Sequence, residues 1–225
     1  MQGRRPMHGA REPSLDRRTR KRLATRQAIS DVATRLFMER GFDRVTIDEI
    51  AEAADVGRMT VFNHFPRKED MFFDREQEAR GLAFGAVCSR PAGLSPIQAL
   101  GALAHHMVDR PRGDFPLFAA TQTFVETAQA SETLKARARQ MRDDFVRALA
   151  GVLANAAGRP DNDADGYLAA GLIAAAWSIA FVRAHAKLSA TGDVEAAKRI
   201  FLALIDRGVS GTHAALAGTP YVDVA

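Results

Sequence analysis

Residues 46–70 read TIDEIAEAADVGRMTVFNHFPRKED. Thr46 followed three residues later by Glu49 is a capping box, in which each side chain satisfies a free backbone N–H of the other. Ile47, Ile50 and Ala51 supply the inward face of the helix that Thr46 opens. Ala53, Ala54 and Asp55 form its end and a tight turn, since Asp tolerates left-handed backbone, though less readily than Gly. Gly57 begins a third helix that runs to His64, with Val56, Val61 and Phe65 as its apolar anchors. Pro66 ends the unit, because the residue before a proline avoids helical geometry. Pro66 also fits at the first turn of a long fourth helix through Cys88.

Upstream, Asp16 is placed to cap a first helix through Arg40, whose Ile29, Val32, Ala33, Leu36 and Phe37 fall on one face. Gly41 stands where a C-terminal cap belongs, with Phe42 behind it to pack back on the helix. Residues 1–15 hold Gly3, Pro6, Gly9 and Pro13 and read as a flexible basic arm. Downstream, Pro91, Gly93, Ser95 and Pro96 mark a break, and helices are predicted over 95–109, 115–128, 131–157, 163–188 and 193–210. Alternating β-branched runs are absent and alanine is abundant, so the fold class is all-α. The predicted division is a helix-turn-helix unit at 16–66, a larger helical domain at 67–211 and a loose tail at 212–225. The apolar run from Tyr167 to Val182 is short for a membrane span and ends at Arg183, which suits a buried helix.

Of 225 residues, 47% are hydrophobic and 26% charged, enough for a core without disulfides or metal. The one cysteine, Cys88, excludes an intrachain disulfide framework. The net charge of +4 is unevenly placed. Arg4, Arg5, Arg11, Arg17, Arg18, Arg20, Lys21, Arg22 and Arg26 face only Glu12 and Asp16 at the N-terminus. A basic segment beside a helix-turn-helix has an obvious partner in the phosphates of DNA, although a solvated tail would look the same. No apolar core or cleavage site follows the basic start, so a signal peptide is not expected.

In a helix-turn-helix the last helix enters the major groove with its N-terminal residues toward the bases. The exposed positions are Arg58, Met59, Thr60, Asn63 and His64. Arg58 has the fork to grip O6 and N7 of guanine, and Asn63 can read adenine or contact the backbone. Thr60 can donate to phosphate or touch a thymine methyl. His64 and Lys68 lie where a phosphate would pass, and Thr46 is placed to combine its cap with a phosphate contact. Taken singly, each of these side chains is more often solvated surface; their order and co-occurrence carry the reading.

The segment from Leu23 to Phe73 resembles the DNA-binding domain of the TetR/AcrR family of bacterial repressors. The shared features are Ala33, Leu36, Phe37, Glu39, Arg40, Gly41 and Phe42, then Thr46, Ile47, Ile50 and Ala51, then Val56, Thr60, Val61, Phe62, His64 and Phe65, then Lys68 and Glu69. The resemblance implies that Arg58, Met59, Thr60, Asn63, His64 and Lys68 occupy DNA-contact positions. Phe62 stands where the family usually has tyrosine, and Gly57 where a Ser or Thr cap is common. The resemblance also implies a C-terminal effector-binding and dimerisation domain whose last two long helices pair across a two-fold axis. A homodimer would read an inverted-repeat operator on double-stranded DNA, in the bacterial cytoplasm with the nucleoid. Small residues from Leu168 to Ala176, with Ile200, Leu204 and Ile205, suit close helix packing.

Inward residues of the middle helices are candidate walls of a small-molecule site: Phe84, Cys88, Met107, Phe118, Phe124, Met141, Phe145, Trp177 and Phe181. Their character implies an apolar effector, although such residues are usually plain core. Arg183 and His185 could meet an acidic group. His105 and His106 are adjacent on a helix, about 100° apart, so they do not share a metal easily, and no metal or cofactor is expected. No glycine-rich nucleotide loop, HExxH or paired carboxylate motif points to catalysis, so no catalytic residue is assigned. The competing readings are an all-α enzyme with a basic N-terminal extension and an architectural DNA-binding protein without effector.

Overall fold

The computed structural model describes residues 16–109 and 119–223; the basic arm at 1–15 and Phe118 lie outside the described residues. Ten α-helices follow in order among the described residues. They are α1 (Arg17–Arg40), α2 (Ile47–Ala53), α3 (Arg58–His64), α4 (Lys68–Phe72), α5 (Glu76–Cys88), α6 (Pro96–Asp109), α7 (Ala119–Ala130), α8 (Glu132–Ala156), α9 (Ala164–Thr191) and α10 (Val194–Ala215). No strand occurs among these residues, and the fold is all-α with an N-terminal helix-turn-helix.

The helix starts are written in local side chains. Asp16 accepts from the Thr19 amide at 2.8 Å, Ser131 from Leu134 at 3.3 Å and Asp193 from Ala196 at 2.8 Å. Ser95 and Gln98 form a reciprocal box at the start of α6. Gly41 takes a φ of 84°, and Asp55 a φ of 53° in the turn between α2 and α3. In both places the chain reverses direction through the region that side chains resist.

The long fourth helix expected from Pro66 to Cys88 is interrupted at Phe73, Asp74 and Arg75. Two contacts account for the break. Phe72 stacks on Phe124 of α7 at 4.2 Å between centroids, while Phe73 meets the same ring edge-on at 6.0 Å. Neighbouring residues on one continuous helix point about 100° apart, so bringing both rings to one partner favours a departure from helical backbone. The Ser30 hydroxyl also donates to the Asp74 carboxylate, which ties the break to α1.

The first core joins Ile29, Phe37, Phe42, Ile50, Val61, Phe65, Met71 and Phe72 with Leu134 of α8. Burying that much aromatic and aliphatic surface under short helices is what holds the helix-turn-helix as a unit. Because Leu134, Phe124 and Ala128 belong to this core or pack on it, α7 and α8 seat directly on the N-terminal unit. The Arg137–Asp70 ion pair at 3.0 Å and the Ser131–Asp43 hydrogen bond at 2.8 Å lie on the same junction. Two further cores are built by α5, α6, α8, α9 and α10.

Two expectations change here. The tail past Gly211 is not loose: α10 continues to Ala215, and Leu216, Tyr221 and Val222 are buried. Tyr221 donates to the Asp163 carboxylate at 2.6 Å; burial, that hydrogen bond and the nearby charge all push its phenol upward from the usual range. A large ring with a satisfied hydroxyl outweighs the small-residue composition around it. The apolar run in α9 belongs to a helix of 28 residues, long and apolar enough to cross a membrane on length and composition alone. One flank of that helix, Ala169, Ala170, Ile173, Ala174, Ala180 and Ala184, is packed inside the molecule.

Candidate nucleic-acid interface and effector cavity

The α2–turn–α3 segment is positioned by Val61 and Phe65, both without solvent exposure, and by half-buried Val56. With those three turned inward, Arg58, Met59 and Asn63 are exposed, while Thr60 and His64 are half-buried. Met59 is 69% exposed, the most open of the large apolar side chains among the described residues. An unpacked methionine on a surface helix is the kind of soft contact that suits a base edge or a thymine methyl.

Thr46 makes the complete capping box. Its hydroxyl accepts from the Glu49 amide at 3.2 Å and donates to the Glu49 carboxylate at 2.9 Å, and its amide donates to the same carboxylate at 2.8 Å. The backbone and side-chain hydrogen bonds from Thr46 hold the Glu49 carboxyl below the usual range. The Thr46 hydroxyl hydrogen is therefore already engaged, and a phosphate contact there would need it to turn away from Glu49.

Lys68 is also engaged. Its ammonium donates to the Phe42 carbonyl at 2.6 Å and lies 4.2 Å from the Phe42 ring centre. Burial lowers its pKa against the opposing pull of Asp43, Glu69 and Glu49. In this arrangement Lys68 ties the start of α4 to the Phe42–Arg44 turn as a structural side chain.

A cleft of about 390 Å³ lies between α1 and α3, lined by Arg18, Thr19, Arg22, Asn63 and His64. Arg26 donates to the His64 carbonyl at 2.5 Å and stacks over Phe65 at 4.0 Å, which pins the end of α3 to α1. Burial first, then the charges of Arg22 and Arg26, lower the His64 pKa. In the sequence, Arg18 and Arg22 stand out only as part of a basic segment. Their spacing of four places them on one helical face, but nothing local showed that α3 lies opposite.

Among the expected cavity residues, Met107, Met141, Phe145 and Trp177 line one cavity of about 320 Å³ between α5, α6, α8 and α9. Leu100, Leu103, Leu149 and Ile173 extend its apolar wall, and Glu76, Arg80 and Arg142 stand among its polar lining. Four expected residues, three of them phenylalanines, sit elsewhere. Phe124 stacks on Phe72 in the N-terminal core, Phe181 packs on the third core and His185, and Phe84 stacks on Phe145 in the second core. Cys88 is exposed at the end of α5. The aromatic character that suggested cavity walls is satisfied in these cases by neighbouring rings.

The family model for bacterial regulatory proteins of the tetR family matches residues 29–74, the stretch that builds the first core and the recognition helix. The HTH-type transcriptional regulator TcmR of Streptomyces glaucescens is 33% identical over 95 residues, which span 42% of this chain and 42% of that relative. The match thus covers under half the length of that curated relative. NalD of Pseudomonas aeruginosa, described as the secondary repressor of the MexAB-OprM multidrug efflux pump, shares the fold over 84% of this chain and 97% of its own, with a TM-score of 0.53 and 18% identity. A SmeT–triclosan complex does so over 84% and 91%, with a TM-score of 0.54 and 18% identity. The helix-turn-helix unit at residues 29–74 is thus that of the bacterial regulatory proteins of the tetR family, and the all-helical architecture around it is shared along most of the chain with these solved structures.

Proposed function

We propose that this chain is a homodimeric repressor that binds an inverted-repeat operator in the cytoplasm and leaves it when a small apolar molecule occupies the cavity. The observation that carries the reading is the outward ridge of Arg58, Met59 and Asn63 on α3, flanked by Arg18 and Arg22 of α1. Base-reading side chains beside phosphate-neutralising ones are what a major-groove reader needs.

Support for a dimer comes from α9. Leu168, Leu172, Ala175, Ile179, Val182 and Ala186 are exposed at alternating spacings of four and three. That is the repeat of a helix seam waiting for a second helix. A second copy on this face would leave the two α3 ridges to span successive major grooves, about 34–36 Å apart. Support for an effector comes from the apolar cavity, which favours this reading over an effector-free architectural protein. Glu76, in the cavity lining, is the first residue of α5, just past the break that separates α5 from α4 and the DNA-binding unit. A ligand that prefers one setting of α5 would shift the separation of the two ridges and lower operator affinity.

The test is selection of duplex fragments from the DNA flanking the protein's own gene, followed by binding at several salt concentrations. The proposal predicts one palindromic site, bound by a dimer, with affinity falling steeply as salt rises. Ile179→Asp should give monomers in sedimentation and lose the palindrome. Recovery of random fragments, or operator binding by a stable monomer, would reject it.

A further inference from the structure

Arg58 does not stand alone on α3. Its Nη1 donates to both carboxylate oxygens of Asp48 on α2, at 2.9 and 2.8 Å. Its guanidinium carbon lies 5.6 Å from the ring centre of Phe62, one turn along α3. The side chains of Arg58 and Asp48 are 57% and 66% exposed. A pair so open to water contributes little to folding, because solvent and salt screen it. The pair does, however, restrict the orientation of a long side chain that would otherwise sample many rotamers.

The chemistry of the fork sets what remains available. A guanidinium is planar with five N–H groups, and Nε–H and one Nη2–H lie parallel along one edge. With Nη1 held by Asp48 and the guanidinium carbon lying over the Phe62 ring, no hydrogen bond involves Nε or Nη2 among the described residues. Two parallel donors match the O6 and N7 acceptors of guanine in the major groove. Asp48 also has a cost: a carboxylate on a face that approaches phosphate weakens binding to every sequence alike.

We infer that Asp48 is a positioning residue for base recognition: it holds Arg58 so that the Nε–Nη2 edge reads a guanine in each half-site, exchanging general affinity for selectivity. The inference rests on the DNA-binding reading above. Glu52, exposed one turn further along α2, carries the same charge without a hydrogen bond or ion pair to Arg58, and serves as the control.

The experiment selects binding sites for the full chain from a pool of randomised duplexes, with wild type, Arg58→Ala, Asp48→Ala, Asp48→Asn and Glu52→Ala compared at one salt concentration. The wild type should prefer a guanine at one position of each half-site, and Arg58→Ala should abolish that preference. Asp48→Ala should reduce the preference about fivefold or more, the low end of what a good bidentate base contact discriminates, while binding unrelated duplex more tightly. Glu52→Ala should show the same rise on unrelated duplex with the guanine preference intact. Asp48→Asn, which keeps one acceptor oxygen, should recover part of the preference. Thermal denaturation midpoints near wild type would exclude misfolding as the cause. The inference is overturned if Asp48→Ala keeps the wild-type guanine preference, including the case where it merely binds the operator more tightly because Asp48 was masking Arg58. It is equally overturned if Arg58→Ala selects the wild-type site. A wild type that selects no site at all would instead reject the DNA-binding reading on which this one stands.

Discussion

At the scale of single residues, the interface is held in place by contacts that also limit what its side chains can do. Lys68 shows this most directly, with its ammonium against the Phe42 carbonyl and ring rather than projecting into solvent. Removing it leaves a carbonyl without its charged donor, a loss of roughly 1–2 kcal/mol. Lys68→Ala should therefore lower the thermal midpoint as well as DNA affinity. A variant that loses DNA affinity with an unchanged midpoint would return Lys68 to the role of a simple phosphate contact. His64 gives a pH signature with two opposite signs. Burial and the neighbouring arginines set its pKa below the ordinary histidine value, so just below that value the unfolded chain binds the proton and the native chain does not. Its contribution to stability is thus present above the ordinary value and lost as pH falls. DNA phosphate favours the charged ring, so operator affinity should rise over the same interval. His64→Asn should flatten both trends in paired denaturation and binding titrations; affinity that is indifferent to pH in the wild type would remove His64 from the interface.

At the scale of elements, α9 and α10 approach closely where Gly208 meets Ala176, and the glycine permits it. A Cβ on Gly208 would lie 2.3 Å from the Cβ of Ala176. Glycine inside a helix ordinarily costs about 0.5–1 kcal/mol relative to alanine. Overpacking a tight contact costs about 1–3 kcal/mol, so here the clash exceeds the propensity gain. Gly208→Ala should destabilise the protein, whereas Gly85→Ala, where nothing lies within 4 Å of the added atom, should stabilise it. Chemical denaturation of the two variants checks the opposite signs; equal shifts would mean that α9 and α10 separate more easily than their packing indicates. The interruption between α4 and α5 belongs to the same scale. Phe72 and Phe73 both reach Phe124, and Ser30 holds Asp74, so a segment whose composition suits one helix is divided by its neighbours.

Across the whole molecule, the cavity and the recognition helix are linked through α5, the break, α4 and the shared core under α7 and α8. Trp177 is the one tryptophan of the chain and stands in the cavity wall, so its fluorescence reports occupancy without a label. An apolar anilinonaphthalene dye should quench Trp177 saturably and accept energy from it, and Met141→Arg should abolish both effects while leaving the fold intact by circular dichroism. Dye binding that survives Met141→Arg would place the probe outside the cavity. If occupancy acts through α5, the dye should also weaken operator binding, with the same coupling factor measured from either ligand.

Nearest neighbours along the chain carried the all-helical class, the Thr46–Glu49 box, the reversal at Asp55 and the outward ridge from Arg58 to Asn63. Caps, turns and helical faces depend on residues three or four positions apart, whose geometry is set as soon as the helix forms. Packing alone decided the interrupted fourth helix, the anchored Lys68, the buried Tyr221 and the partners of the interface: Asp48 for Arg58 at ten residues' separation, Arg26 for His64 at 38, and Asp163 for Tyr221 at 58. Those pairings depend on how separate helices come together, which no spacing along one of them encodes. The apolar middle helices illustrate the limit, since a ring that lines a cavity and a ring that fills a core obey the same periodicity and differ only in what stands opposite.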